Sequence, residues 1–74
     1  MNPAQLTKML NDISDFFAGE SGADKAVEDV ANHMKRFWDP RMRREIVAHY
    51  AKGGEGLSEI SLKAVKELAA AAHQ

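Results

Sequence analysis

Cysteine is absent from this 74-residue sequence, and prolines, glycines and aromatic residues number only two, five and five. Without cysteine the chain can form neither disulfides nor thiolate metal sites, which fits a reducing compartment. No apolar run approaches the roughly 20 residues of a membrane span. The N-terminus also lacks a basic region followed by an apolar stretch, so we expect no signal peptide. These absences predict a cytoplasmic protein with no membrane role.

The composition, 45% hydrophobic and 28% charged, is typical of a soluble globular chain, and the length allows a single domain over residues 1–74. The formal net charge of −1 is unevenly distributed. Residues 1–34 contain six acidic and two basic side chains, whereas residues 35–52 contain six basic and two acidic ones. A basic middle segment indicates either an anionic partner surface or pairing with the chain's own acidic first half.

Apolar residues recur every three or four positions, and no stretch alternates as a strand would. This spacing predicts an all-α fold, a small bundle of about four short helices. Asn2, Pro3 and Gln5 provide a cap, a first-turn proline and a capping-box partner for the first helix. We expect Gly19 and Gly22 to end that helix.

The next two helices also have start signals. Ser21 with Asp24 resembles a second capping box, and Asp39 is predicted to end the second helix and to begin the third. The third helix then covers about 40–51, and the glycine-rich segment 52–56 forms a loop. The inward faces predicted for the first two helices comprise Leu6, Met9, Leu10, Ile13, Phe16 and Phe17, then Ala23, Ala26, Val27, Val30, Ala31, Met34, Phe37 and Trp38.

Three arginines, Arg41, Arg43 and Arg44, follow an Asp-Pro helix start at positions 39–40. The helix dipole disfavours positive charge there by roughly 0.3–1 kcal/mol each. Because local rules are broken most often at functional sites, we interpret this segment as a contact surface. The neighbouring Trp38 fits either a core position or an interface anchor.

Arg43 lies on the apolar side of the predicted third helix, so its role is open. Its stem can lie along the core while the guanidinium passes the helix end, or it can pair with Asp39. Alternatively, its planar fork suits a carboxylate on another protein.

The histidines do not predict a metal site, because His33, His49 and His73 share no ligand spacing. Asp29 and His33, four residues apart, indicate an ordinary surface pair. No catalytic constellation is visible either: the four serines fit caps and exposed helix faces, with Ser58 at the start of the last helix. These are Ser14, Ser21, Ser58 and Ser61.

The segment Gly53-Gly54-Glu55-Gly56 superficially resembles a phosphate loop. It follows a helix instead of a strand and lacks the Gly-Lys-Ser/Thr ending, so we predict left-handed backbone in a tight turn. A helix-turn-helix nucleic-acid module is a further alternative, given short helices with an arginine cluster. The pI of about 6.3 and the acidic first half argue against it.

The span from Val30 to Leu68 resembles the delta subunit of soluble, NAD-dependent formate dehydrogenases that contain molybdenum or tungsten. The matching pieces are Val30-Ala31-Asn32-His33-Met34, Phe37-Trp38-Asp39-Pro40-Arg41-Met42-Arg43, Ile46-Val47-Ala48-His49 and Gly53-Gly54-Glu55-Gly56-Leu57-Ser58. Each piece is weak alone, but together they cover more than half of the chain in the right order.

The resemblance implies an accessory subunit that binds an alpha-beta-gamma complex, with the alpha subunit as the expected partner. The alpha subunit would hold bis-molybdopterin guanine dinucleotide with Mo or W and iron–sulfur clusters. The beta subunit would hold FMN and NAD, and gamma a further cluster. This chain would bind no cofactor and would support assembly, stability or cofactor loading. A transient maturation factor for the catalytic subunit is the main alternative.

The resemblance also implies which residues contact the partner. They are those of the matching motifs: Trp38, Asp39, Pro40, Arg41, Arg43, Arg44, His49, Gly53, Gly54 and Gly56.

Overall fold

A computed structural model describes residues 2–72 of the chain. It contains α1 (Pro3–Ser21), α2 (Ala23–Phe37), α3 (Pro40–Ala51) and α4 (Glu59–Ala72), with no strand among the described residues. The predicted all-α bundle of four short helices is therefore confirmed. Within residues 2–72, none of these helices has the length and apolar character that crossing a membrane requires.

The four helices enclose one core. α2 packs against α1 and α4, and α3 packs against α4 and α1. Every helix contributes to the core because each has an apolar stripe at helical spacing. Its buried members are Leu6, Leu10, Val30, Ala31, Met34, Trp38, Ile46, Leu57, Ala64, Val65 and Leu68.

The predicted start of α1 is confirmed in detail. The Asn2 side chain accepts a hydrogen bond from the Gln5 amide at 2.9 Å, and the Gln5 side chain accepts one from the Asn2 amide at 3.2 Å. Ser58 similarly accepts from the Ser61 amide at 3.3 Å, which is the capping contact expected at the start of α4.

The turn between α1 and α2 differs from the prediction. α1 continues through Gly19, and Gly22 alone ends it with a φ of +84°. Ser21 is the last residue of α1 and not a cap, so the capping box predicted with Asp24 is wrong. Gly22 serves both helices: it makes no side-chain capping bond to α2, but it adopts a backbone conformation that other residues rarely reach.

Three residues assigned to the inward faces are exposed. Ala23 lies at the surface, and Phe16 and Phe37 are 60% and 69% exposed. Phe16 lies at the edge of its helical stripe, and Phe37 is the last residue of α2. Periodicity identifies the stripe but not how much of its width the neighbouring helix covers.

Two serines assigned to exposed positions lie in the core instead. Ser14 and Ser61 are fully buried, and their hydroxyls are 2.7 Å apart. The Ser58 hydroxyl donates to Ser61 at 3.0 Å, so the buried hydroxyls satisfy one another. This chain of hydrogen bonds joins α1 to the first turn of α4.

Candidate docking surface

Two residues, Trp38 and Asp39, connect α2 to α3. Trp38 is only 4% exposed, so the indole packs in the core and presents little surface to another protein. Asp39 has extended backbone and accepts a hydrogen bond from the Met42 amide at 2.9 Å, which caps α3. Pro40 occupies the first helical position, as predicted.

Arg43 reaches back across this junction to the end of α2. Its Nη1 donates to the Trp38 carbonyl at 2.6 Å and to the Lys35 carbonyl at 3.2 Å. The last carbonyls of a helix have no partner within the helix and carry partial negative charge, so a guanidinium stabilises them. The sequence left several roles open for Arg43. The structure shows an internal role, in which the partners of its guanidinium are carbonyl oxygens instead of Asp39.

Arg41 and Arg44 point away from the junction. Arg41 lies 3.7 Å from Glu45 in a pair whose arginine side chain is 83% exposed. Arg44 is exposed, and no carboxylate within residues 2–72 pairs with it. Of the three arginines, Arg44 is therefore the one whose guanidinium has neither a carboxylate nor a carbonyl partner among residues 2–72.

Arg44 lines a groove of about 510 Å³ between α3 and α4. The groove follows one face of α3, with residues spaced three or four apart, and α4 contributes one leucine. We call this surface the α3–α4 groove; its lining is Pro40, Arg43, Arg44, Val47, Ala48, Ala51 and Leu68. It is an apolar surface with arginines at the end nearest the α2–α3 junction.

The glycine loop after α3 has the left-handed backbone that the sequence predicts. Gly53, Gly54 and Gly56 have φ values of +118°, +65° and +87°. Gly54 is buried, and a β-carbon there would lie 2.6 Å from Cδ2 of Leu62. The loop is thus closed down onto the first turn of α4, which excludes a phosphate-binding cradle at Gly54.

His49 and Asn11 hold this loop from outside. His49 Nε2 donates to the Glu55 carbonyl at 2.7 Å. The Asn11 amide donates to the Gly56 carbonyl at 2.8 Å and accepts from the Ser58 amide at 2.9 Å. Nothing in the sequence marks Asn11, because its partners lie 45 and 47 residues away.

The structure divides the predicted contact residues between two surfaces. Pro40, Arg43 and Arg44 line the α3–α4 groove, whereas His49 and Gly56 line a separate hollow beside the start of α1. Gly53 belongs to the same loop as Gly56. Contact of any of these residues with a partner remains a prediction.

The predicted pair of Asp29 with His33 is wrong. Asp29 pairs instead with Lys25 at 3.3 Å, and the His33 ring lies between those of Phe17 and Phe37. His73 lies outside the described residues. Within residues 2–72 no three His, Asp or Glu side chains could hold a metal ion together, and the chain has no cysteine. Cysteine is the usual ligand of iron–sulfur clusters, so the sequence offers no ligand set of that kind.

Of three comparisons with known proteins, one finds a matching family and two find no match. Residues 5–65 match the family described as the NADH-dependent formate dehydrogenase delta subunit FdsD. No curated protein and no solved structure matches the chain. The family match covers α1 to α3, the glycine loop and the first half of α4, which includes the junction and most of the α3–α4 groove. The resemblance drawn from the sequence is thereby confirmed, and the chain belongs to the FdsD family of formate dehydrogenase delta subunits.

Proposed function

We propose that this chain is a non-catalytic subunit of a cytoplasmic, NAD-dependent formate dehydrogenase and docks on the alpha subunit through the α3–α4 groove. The observation that carries the proposal is the groove itself, an apolar surface with Arg44 at one end, which pairs with no carboxylate within residues 2–72. Family membership indicates that the partner enzyme is a formate dehydrogenase, and the groove is a surface through which the chain can bind it.

The lining of the groove favours a protein segment as its occupant. Val47, Ala48 and Ala51 are small, so another backbone can approach α3 closely. Arg44 favours an acidic side chain on the docked segment, since a guanidinium binds carboxylates through two parallel hydrogen bonds. Arg43 is already bonded to α2 carbonyls and holds one end of the groove in shape.

The chain's proposed contribution is to assembly, stability or cofactor loading, because its sequence has no cysteine to hold an iron–sulfur cluster. Formate oxidation would occur in the other subunits, which we expect to hold the molybdenum or tungsten centre, iron–sulfur clusters, FMN and NAD. A subunit that binds only the folded catalytic chain stabilises it by mass action.

The direct test is the affinity of the purified chain for the purified alpha subunit at two salt concentrations. Ala48→Trp should fill the groove and weaken binding at least tenfold, and Arg44→Gln should weaken it several-fold, more strongly at low salt. Lys66→Gln, an exposed change on α4 outside the groove, is the matched control. Equal affinities for all four proteins would refute docking through the groove.

A second measurement separates an integral subunit from a transient maturation factor. An integral subunit should stay with the metal-loaded enzyme through size exclusion at fixed stoichiometry, whereas a maturation factor should be lost after loading.

A further inference from the structure

A second surface lies between α1 and α2 and shares no lining residue with the α3–α4 groove. Phe16 and Phe37, 60% and 69% exposed, are the only large apolar side chains within residues 2–72 that are mainly exposed. They stand at the two ends of a row of rings. Phe16 and Phe17 have centroids 5.3 Å apart, Phe17 and His33 6.1 Å, and His33 and Phe37 4.9 Å. We call these four residues the aromatic patch.

The aromatic patch combines a projection with a hollow. Three of its members and three neighbouring residues of α2 enclose a hollow of about 230 Å³ next to Phe37. Its lining is Phe17, Asp29, Asn32, His33, Arg36 and Phe37. Phe16 is not part of that lining but stands beside it, in edge contact with Phe17. One face thus carries an exposed ring and, next to it, a space of the size that accepts a ring.

We propose that this face binds the same face of a second copy, with Phe16 of each copy in the hollow of the other. A two-fold interface requires one patch to be complementary to itself. A projection and a hollow placed side by side meet that requirement, because rotation about an axis between them exchanges their positions. Within the hollow, Phe16 would meet the edges and faces of Phe17 and Phe37, the geometry that aromatic pairs prefer.

The charges around the patch support a second copy as the occupant. Glu20 lies one turn beyond Phe16 and is exposed, with no cation paired to it within residues 2–72. Arg36 lies in the wall of the hollow, 5.7 Å from the Phe37 ring centroid, and likewise has no carboxylate partner there. Exchange of Phe16 between copies brings Glu20 of one copy toward Arg36 of the other, and the two-fold axis repeats the pairing.

The size of the patch predicts a weak, concentration-dependent dimer. Two partly exposed phenylalanines offer roughly 100 Å² or more each, well below the roughly 800 Å² per partner of a standard interface. The interface uses residues of α1 and α2 only, and none of them lines the α3–α4 groove. The dimer can therefore be tested independently of docking through the groove.

The test is sedimentation equilibrium of the purified chain from roughly 10 μM to 1 mM, the range in which a weak dimer dissociates. The wild-type chain should pass from monomer to dimer over that range. Phe16→Ala, which removes the projection, and Asn32→Trp, which fills the hollow from an exposed position, should each weaken association at least tenfold. Thermal unfolding checks that both variants stay folded, and Arg44→Gln in the groove is the control.

A charge exchange tests the two-fold arrangement itself. Glu20→Lys and Arg36→Glu should each weaken the dimer, and an equimolar mixture of the two variants should restore it, because unlike charges then face each other at both sites. A wild-type chain that is monomeric at 1 mM would overturn the proposal, even if Phe16→Ala weakened binding to the alpha subunit. Dimers that Phe16→Ala leaves intact, or that Arg44→Gln dissociates, would overturn it as well.

Discussion

The two connections on either side of α3 hold their helices in different ways. Between α2 and α3 there are two residues, and the side-chain hydrogen bonds that hold them come from within eight positions: Asp39 caps α3, and Arg43 binds the α2 carbonyls. Between α3 and α4 the connection is longer, and Asn11 of α1 binds it from 45 and 47 residues away. The hydrogen bonds of the first junction are local, whereas those of the second depend on the assembled bundle.

This difference separates residues that the motif presents together. Asp39, Arg43 and Trp38 complete the α2–α3 junction, and Gly54 lets the second connection close onto α4. Arg41 and Arg44 make no such contribution to the junction and remain exposed. A short sequence motif can thus contain both residues that form a junction and exposed residues that make none of its contacts.

The largest effect on folding should come from Gly54→Val. Its β-carbon would overlap Cδ2 of Leu62 at 2.6 Å and approach Cδ1 of Leu57 at 3.4 Å. A β-branched residue is also strained at a φ of +65°. Strain and overlap together should lower the free energy of unfolding by about 3 kcal/mol or more.

Urea unfolding of Gly54→Val in the wild-type chain and in Leu62→Ala separates these two causes, because Leu62→Ala removes the Cδ2 atom that the β-carbon would overlap. The backbone strain remains in both chains, so Gly54→Val should cost less in Leu62→Ala. An equal loss in both chains would mean that the closure of the loop onto α4 adds nothing.

Asn11→Ala should have the next largest effect, because it removes both hydrogen bonds between α1 and the second connection. At about 1 kcal/mol for each bond, we expect a loss of about 2 kcal/mol. Asn11→Asp keeps the acceptor for the Ser58 amide and should lose less. Asp12→Ala, an exposed neighbour on α1, is the control and should stay within about 0.5 kcal/mol of wild type. If Asn11→Ala left the free energy of unfolding unchanged, the hydrogen bonds of Asn11 would not stabilise the connection between α3 and α4.

The same contrast explains how far the sequence alone predicts this molecule. Bounds of α3, the caps at Asn2 and Asp39, and the left-handed glycines follow from neighbours within one helical turn. The contacts of Asn11 and the buried Ser14–Ser61 pair do not, because only the packing of α1 on α4 brings them together. The Asp-Pro motif at positions 39–40 predicted the junction between α2 and α3. It did not predict which arginine stabilises the fold, because that depends on the position of the α2 carbonyls in the folded chain.

Arg43→Gln tests the junction between α2 and α3. It should lower the free energy of unfolding by about 1–2 kcal/mol, because two carbonyls lose their hydrogen bonds from a charged donor. Glutamine is too short to replace both contacts. Arg43→Lys keeps the charge near the end of α2 but not the fork, so its loss should be smaller. If Arg43→Gln unfolded at the same urea concentration as wild type, the bonds to Trp38 and Lys35 would not stabilise the junction.

The smallest effect on stability should come from replacing Arg41 and Arg44 together with glutamine. Their charges oppose the dipole of α3, which acts mainly on Arg41 in the first turn, so removing both should gain roughly 0.3–1 kcal/mol in total at low salt. The loss of the exposed Arg41–Glu45 pair offsets about 0.3–0.5 kcal/mol of that gain. Urea unfolding at low salt should therefore show a domain as stable as wild type or slightly more so. A loss above about 1 kcal/mol would place these arginines with Arg43 among the residues that serve the fold, and weaker binding to the alpha subunit would then be an indirect result of unfolding.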